Sequence, residues 1–299
     1  MLVVDAVGKT FGSISAVRSL SFRVESGAAF GLLGPNGAGK TTTMRMILGI
    51  MLPDTGSLRW NGAVIDERVR RAFGYLPEER GLYGKMPVRD HIVYFARLHG
   101  LLDTEAGRRA DAWIARLGIA EYTKRPCAEL SKGNQQKVQI ACAAVHQPAL
   151  LVLDEPFSGL DPINADMLYT VLDELRASGT TLILSSHQMW QIERLCERFC
   201  IINAGSAVAQ GTLQELRAAW PTRIVRAGPP SPELRGVFER VPGARVSASE
   251  GATLAYEMPV TTDLEGLLRA AVAHAGIAHF ERIEPSLHEM YVRLVGGPP

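Results

Sequence analysis

Two unbroken apolar runs, Ala28-Ala-Phe-Gly-Leu-Leu33 and Ala149-Leu-Leu-Val-Leu-Asp154, have the length and character of strands buried on both faces of a parallel sheet. Between them the period changes. His91-Ile-Val-Tyr-Phe-Ala-Arg-Leu98 and Ala110-Asp-Ala-Trp-Ile-Ala-Arg-Leu117 carry apolar residues at helical spacing and mark a largely helical insert from about Gly84 to Ile140. After about Trp220 the densest Pro/Gly punctuation of the chain, Arg226-Ala-Gly-Pro-Pro-Ser-Pro232, announces a second small unit. There the pattern predicts a strand at Thr222–Ala227, a helix at Pro232–Val241 and a hairpin of Ala244–Glu250 and Thr253–Met258 turning at Glu250-Gly251. A helix at Asp263–Ala275 and a strand at Ile277–Ile283 follow. That β-α-β-β-α-β order is ferredoxin-like, and Pro285–Leu294 adds a last helix. The organisation expected is an α/β domain over residues 1–220 and an α+β accessory domain over 222–299.

Composition changes this picture little. A length of 299 residues allows two domains, 46% hydrophobic residues suit a well-packed α/β protein, and a formal net charge of +1 gives no sign of a nucleic-acid partner. No stretch approaches 18 consecutive apolar residues, and Met1-Leu-Val-Val-Asp5 lacks the layout of a signal peptide, so a cytoplasmic chain is expected. Cys127, Cys142, Cys196 and Cys200 lack the paired spacing of zinc sites and are expected reduced, with Cys196 and Cys200 on one helix face. His274 and His279, flanking the last helix-to-strand turn, read as a surface pair or a metal site.

The chemistry begins at Gly34-Pro35-Asn36-Gly37-Ala38-Gly39-Lys40-Thr41, a phosphate loop placed after a strand and before a helix. Glycines let consecutive N–H groups and the helix N-terminus face phosphate oxygens. Lys40 is expected to reach the β- and γ-phosphates and Thr41 to ligate Mg²⁺, with Thr42 beside them at the ATP. Asp154-Glu155 ends the second apolar strand, where α/β sheets place ligands. Asp154 is suited to hold Mg²⁺ and Glu155 to orient the attacking water or take its proton.

Leu130-Ser-Lys-Gly-Asn-Gln135, upstream of Asp154-Glu155, resembles the LSGGQ signature of ATP-binding-cassette (ABC) ATPases, and the resemblance covers about residues 1–215. It implies a P-loop NTPase cassette: a mixed sheet core plus a helical subdomain. Ser158-Gly-Leu-Asp161 then resembles the D-loop, His187 the switch histidine serving hydrolysis with Glu155 and Lys40, and Phe11 the aromatic that stacks on adenine. The family pattern implies that Ser131 and Gly133 meet the γ-phosphate held by another copy, in a homodimer or heterodimer of ATPase subunits. It also implies a separate integral membrane permease docked on the helical insert, where Tyr83, Tyr94 and Phe95 are candidate contacts or core residues, and a peripheral place on the inner face of the membrane.

Two positions depart from the family. Lys132 replaces the middle glycine of the signature and is read as solvent-facing, or as added charge near a phosphate. Glu78, in Tyr75-Leu-Pro-Glu78-Glu-Arg-Gly-Leu-Tyr83, replaces the Q-loop glutamine and adds a negative charge while keeping an oxygen for Mg²⁺. The wording of LPEERGLY and LSKGNQQK resembles exporter ATPases of the sodium-extrusion type, which end in a small C-terminal domain. The alternatives are a soluble ABC ATPase not coupled to a permease and a nucleotide sensor without turnover.

Overall fold

The computed structural model describes residues 1–296 apart from Arg80, His187 and Gly251. Two compact units result: Met1–Thr212 with the last residues from Leu294, and Leu213–Arg293. The break therefore falls before the helix Leu213–Ala218 and not at Trp220. Leu216 is buried, and Arg217 Nε donates to the Pro285 carbonyl at 3.0 Å, which ties this helix to the second unit.

The first unit runs β1 (Leu2–Phe11), β2 (Ile14–Val24), β3 (Ala29–Leu33), α1 (Lys40–Ile47), β4 (Thr55–Trp60), β5 (Ala63–Val64), α2 (Glu67–Arg70), β6 (Phe73–Leu76), α3 (Val88–Leu98), α4 (Asp103–Arg116), α5 (Lys132–Ala144), β7 (Leu150–Asp154), α6 (Pro162–Ala177), β8 (Thr181–Ser185), α7 (Met189–Leu195), β9 (Arg198–Asn203) and β10 (Ser206–Thr212). An antiparallel sheet has the order β2-β1-β4-β5, and a second sheet the order β10-β9-β3-β8-β7-β6. Within the second, every pairing is parallel except that of β10 with β9. Every residue of β3, β7 and β8 is buried, as the unbroken apolar runs predict for strands covered on both faces. One apolar cluster joins the two sheets through Leu2, Phe22, Phe30, Met44, Val152 and Ile183, with the Phe22 and Phe30 rings stacked at 4.9 Å.

Strand order positions the chemistry. β8 lies between β3 and β7, so the ends Leu33, Ser185 and Asp154 emerge side by side, and β6 beside β7 delivers Glu78 to the same edge. The helical insert is held by small buried residues such as Ala96, Ala106 and Ala110 and by the two-bond pair of Arg89 with Asp111.

The second unit comprises α8 (Leu213–Ala218), β11 (Thr222–Gly228), α9 (Pro232–Glu239), β12 (Arg245–Glu250), β13 (Thr253–Pro259), α10 (Leu264–Ala275), β14 (His279–Ile283) and, as far as Arg293, α11 (Leu287–Gly296). Its antiparallel order β12-β13-β11-β14 is the ferredoxin-like one. Val225, Ala227, Leu254, Tyr256 and Met258 pack against Leu234, Phe238, Leu267 and Ala271, with Phe238 stacked on Tyr256 at 3.8 Å. Glu257 is buried and bonded to Arg293 and Thr222. The expected turn residue Gly251 lies outside the described residues. His279 pairs with Glu281 at 3.3 Å, and among the described residues no cluster of histidine, cysteine or carboxylate side chains is able to hold a metal. Cys196 and Cys200 do not share a helix face: Cys196 caps the C-terminus of α7, and Cys200 lies in β9. All four thiols are free and buried.

Candidate active site

The phosphate loop leaves β3 and enters α1 with Gly37 and Gly39 at positive φ, +79° and +106°. At Gly39 a Cβ would lie 2.5 Å from the Ala16 carbonyl oxygen, so the glycine is required by both conformation and space. The ammonium of Lys40 is turned back on the loop, donating to the carbonyls of Gly34 at 2.7 Å and Pro35 at 3.2 Å. Burial pushes its pKa down, and the nearby carboxylates of Glu155, Asp154 and Glu78 oppose that shift.

Both oxygens of Asp154 are fixed. Thr41 Oγ1 donates to one at 2.9 Å and Ser185 Oγ to the other at 2.5 Å. Glu155, nine-tenths buried, has φ of +53°, a left-handed conformation that side-chain-bearing residues rarely take. Its N–H is directed to the Ser185 carbonyl and hydroxyl at 3.3 and 3.2 Å, which holds the turn. Ser185 therefore orients both acidic residues, a role that the motifs did not reveal. The signal available in the sequence was a hydroxyl ending the apolar strand Thr181–Leu184, two residues before His187. Gln136 was also missed: it is buried on α5, and its amide donates to the Pro156 carbonyl at 2.8 Å, pinning the chain just after Glu155.

A cleft of about 780 Å³ is lined by Phe11, Ala16, Asn36, Gly37, Gly39, Lys40, Thr41, Thr42, Glu78, Asp154 and Glu155. Phe11 is half exposed at its rim. Gly34, Pro35 and Ala38 do not line the cleft; they shape the loop, with Ala38 bonded to Pro35 and Gly205 through the backbone. Thr41, Asp154 and Glu78 offer only hard oxygen donors, the set that suits Mg²⁺. His187 lies outside the described residues.

Ser131 and Gly133 are not part of this cleft. Ser131 caps α5 by accepting the Asn134 N–H at 3.3 Å and is exposed, as is Lys132. A Cβ on Gly133 would make ordinary contacts with Gly159 and Leu160, so the N-terminus of α5 runs alongside the 158–161 loop. Asp161 in turn caps α6. Farther along the insert, a hollow of about 320 Å³ is lined by residues including Phe73, Tyr75, Leu82, His91, Phe95 and Cys142, with Tyr83 and Tyr94 exposed nearby and Phe95 partly buried.

Residues 17–158 match the sequence pattern of the ABC transporter family, and residues 211–295 that of the C-terminal domain of DrrA1-3-like ATP-binding proteins. The chain is 42% identical over 298 residues to the uncharacterized ABC transporter ATP-binding protein YhaQ of Bacillus subtilis (strain 168), covering 99% of each. It is 33% identical over 303 residues to the Nod factor export ATP-binding protein I of Ralstonia nicotianae, covering 99% of this chain and 94% of that one. A solved structure described as the ATP-binding subunit of an ABC transporter is 34% identical, with a TM-score of 0.68 over 73% of this chain and 92% of that chain.

Proposed function

From the premise that this chain belongs to the ATP-binding, ATP-hydrolysing subunits of ABC transporters, we propose that it works as a pair, each ATP being held between the cleft of one subunit and the α5 N-terminus of the other. One observation carries this reading. Ser131 and Gly133 present a capped, exposed helix N-terminus, yet they contribute nothing to their own chain's cleft.

In this mechanism Phe11 stacks on the adenine. The N–H groups of Gly37 to Thr42 surround the phosphates, and Lys40 exchanges the carbonyls of Gly34 and Pro35 for phosphate oxygens. Thr41 and Asp154, with Glu78, would hold a Mg²⁺, which when bound neutralises charge on the β- and γ-phosphates. Ser185 and Thr41 keep the Asp154 carboxylate aimed, while Glu155 orients a water for attack on the γ-phosphate, a step in which the family pattern gives His187 a part. Ser131 and Gly133 of the second subunit lose their ligand when that phosphate departs, so hydrolysis releases the pair.

The work is delivered to a separate membrane permease docked on the insert beside Tyr83, Tyr94 and Phe95. Among the described residues no helix is long and apolar enough to cross a membrane, so the subunit would act at the membrane's inner face through its partner. Export is the direction we favour, on the similarity to a Nod factor export protein. The narrower likeness to sodium-extrusion ATPases rests on LPEERGLY and LSKGNQQK. Purification of tagged Glu155→Gln protein with Mg-ATP from detergent-solubilised host membranes tests this. A multi-span membrane protein in stoichiometric amount is expected; recovery from the soluble fraction without one would contradict it.

A further inference from the structure

The cleft carries an unusual charge balance. Its ionisable lining residues are Lys40, Glu78, Asp154 and Glu155: three carboxylates against one ammonium. The negative field reaches the phosphate-binding group itself, since the Lys40 ammonium feels all three carboxylates. Glu78 stands exposed at the cleft's edge, on the segment that leaves β6. An amide at this position would leave the lining with one net negative charge; the carboxylate leaves it with two. A bare triphosphate, itself a polyanion, must enter against that field.

The complementary fact concerns the cation. Among the described residues no three histidine, cysteine, aspartate or glutamate side chains form a group able to hold a metal. Asp154 already accepts from Thr41 and Ser185, and Glu78 lies on a different strand end. The described residues therefore form no cage of their own for a divalent ion, and phosphate oxygens are the natural source of further ligands.

We propose that Glu78 makes nucleotide capture by this subunit conditional on the divalent cation, so that the cleft takes up the cation–nucleotide complex and rejects either component alone. The inference rests on the reading of the cleft as the ATP site. Its basis is linkage: whatever the cation adds to ATP affinity, ATP adds to cation affinity. The extra carboxylate enlarges that coupling from both sides, by repelling free ATP and by attracting the cation that ATP brings. Because Glu78 is exposed, solvent and salt screen its charge, and the effect is greatest at low ionic strength.

The experiment measures ATP affinity by titration calorimetry at low salt, with excess Mg²⁺ and with excess EDTA, for wild type, Glu78→Gln and Glu79→Gln. Glu79 is a control for position: it carries the same charge one residue further on and lines an adjoining hollow with Thr41, Glu78 and Asp154, but it does not line the cleft. The ratio of the EDTA to the Mg²⁺ dissociation constant should fall about tenfold in Glu78→Gln, a coupling change of about 1.4 kcal/mol. Glu78→Gln should also bind metal-free ATP more tightly than wild type does, an outcome that loss of a merely structural side chain does not produce. Glu79→Gln should keep the wild-type ratio within about twofold. An unchanged ratio in Glu78→Gln, or an equal fall in Glu79→Gln, overturns the proposal. So does tight binding of Mn²⁺ by the nucleotide-free protein, read by electron paramagnetic resonance. Failure of the wild type to bind Mg-ATP at all would instead remove the ATP-site reading on which the inference stands.

Discussion

Acidification should loosen the insert through one histidine, and the size of the effect follows from its surroundings. His91 is 1% exposed. Its Nε2 accepts the Tyr83 N–H at 3.0 Å, so Nδ1 carries the proton and donates to Cys142 Sγ at 3.2 Å. Phe95 and Tyr83 flank the ring at 5.0 and 5.6 Å. Burial brings its pKa down to about 4, from 6.5. Between those values the unfolded chain binds a proton that the folded chain does not, so stability is full above about pH 6.5 and falls as pH drops toward 4. Applied between pH 7 and pH 5, the linkage relation gives a loss of about 2 kcal/mol from this residue, approaching about 3 kcal/mol near pH 4. The Cys142 thiol, raised well above its ordinary value by burial, adds nothing over that range. Urea unfolding of wild type and His91→Gln at pH 7 and pH 5 checks this, since a glutamine oxygen is still able to accept from Tyr83 N–H. The difference between the two pH values should shrink by about 2 kcal/mol in the variant; an identical pH dependence in both proteins would refute the reasoning.

Gly39→Ala should abolish measurable ATP binding and lower stability by about 1–2 kcal/mol, because the new methyl group meets the Ala16 carbonyl oxygen in a left-handed backbone; calorimetric titration and urea unfolding read both. Phe11→Ala should weaken ATP about tenfold by loss of stacking while leaving inorganic phosphate release at saturating ATP within about twofold of wild type. Glu257→Gln should lower the stability of the second unit by about 2 kcal/mol, since the partly buried Arg293 loses the charged partner that the buried Glu257 provides, with the exposed Arg245 nearby at 3.5 Å; thermal unfolding followed by circular dichroism reads this.

The sheet core was legible because β3 and β7 are uniformly apolar and end in residues whose chemistry is unmistakable in series: Gly34 to Thr41, then Asp154-Glu155. The ferredoxin-like unit was legible from alternation and turn residues, with ends shifted by a residue or two: Asp263 caps α10 rather than opening it, and α9 starts at Pro232 as expected but stops at Glu239. What escaped lies in contacts between distant segments. Ser185 reaches Asp154 across 31 positions, and Gln136 reaches Pro156 across 20; neither residue type at its place announces a partner. The Cys196–Cys200 spacing misled because α7 ends at Leu195, and the chain turns into β9 between the two thiols. The early boundary at Thr212 was hidden because α8 carries one buried apolar residue, Leu216, too little for a periodic signal.

The most direct test of the paired-site account is the mass of purified Glu155→Gln protein by light scattering, with and without Mg-ATP. The account predicts a monomer without nucleotide and a dimer with Mg-ATP, and a return to monomer when Ser131→Arg is added to the same chain. A monomer at saturating Mg-ATP, in a protein shown by titration to bind it, would contradict the sharing of ATP between two subunits.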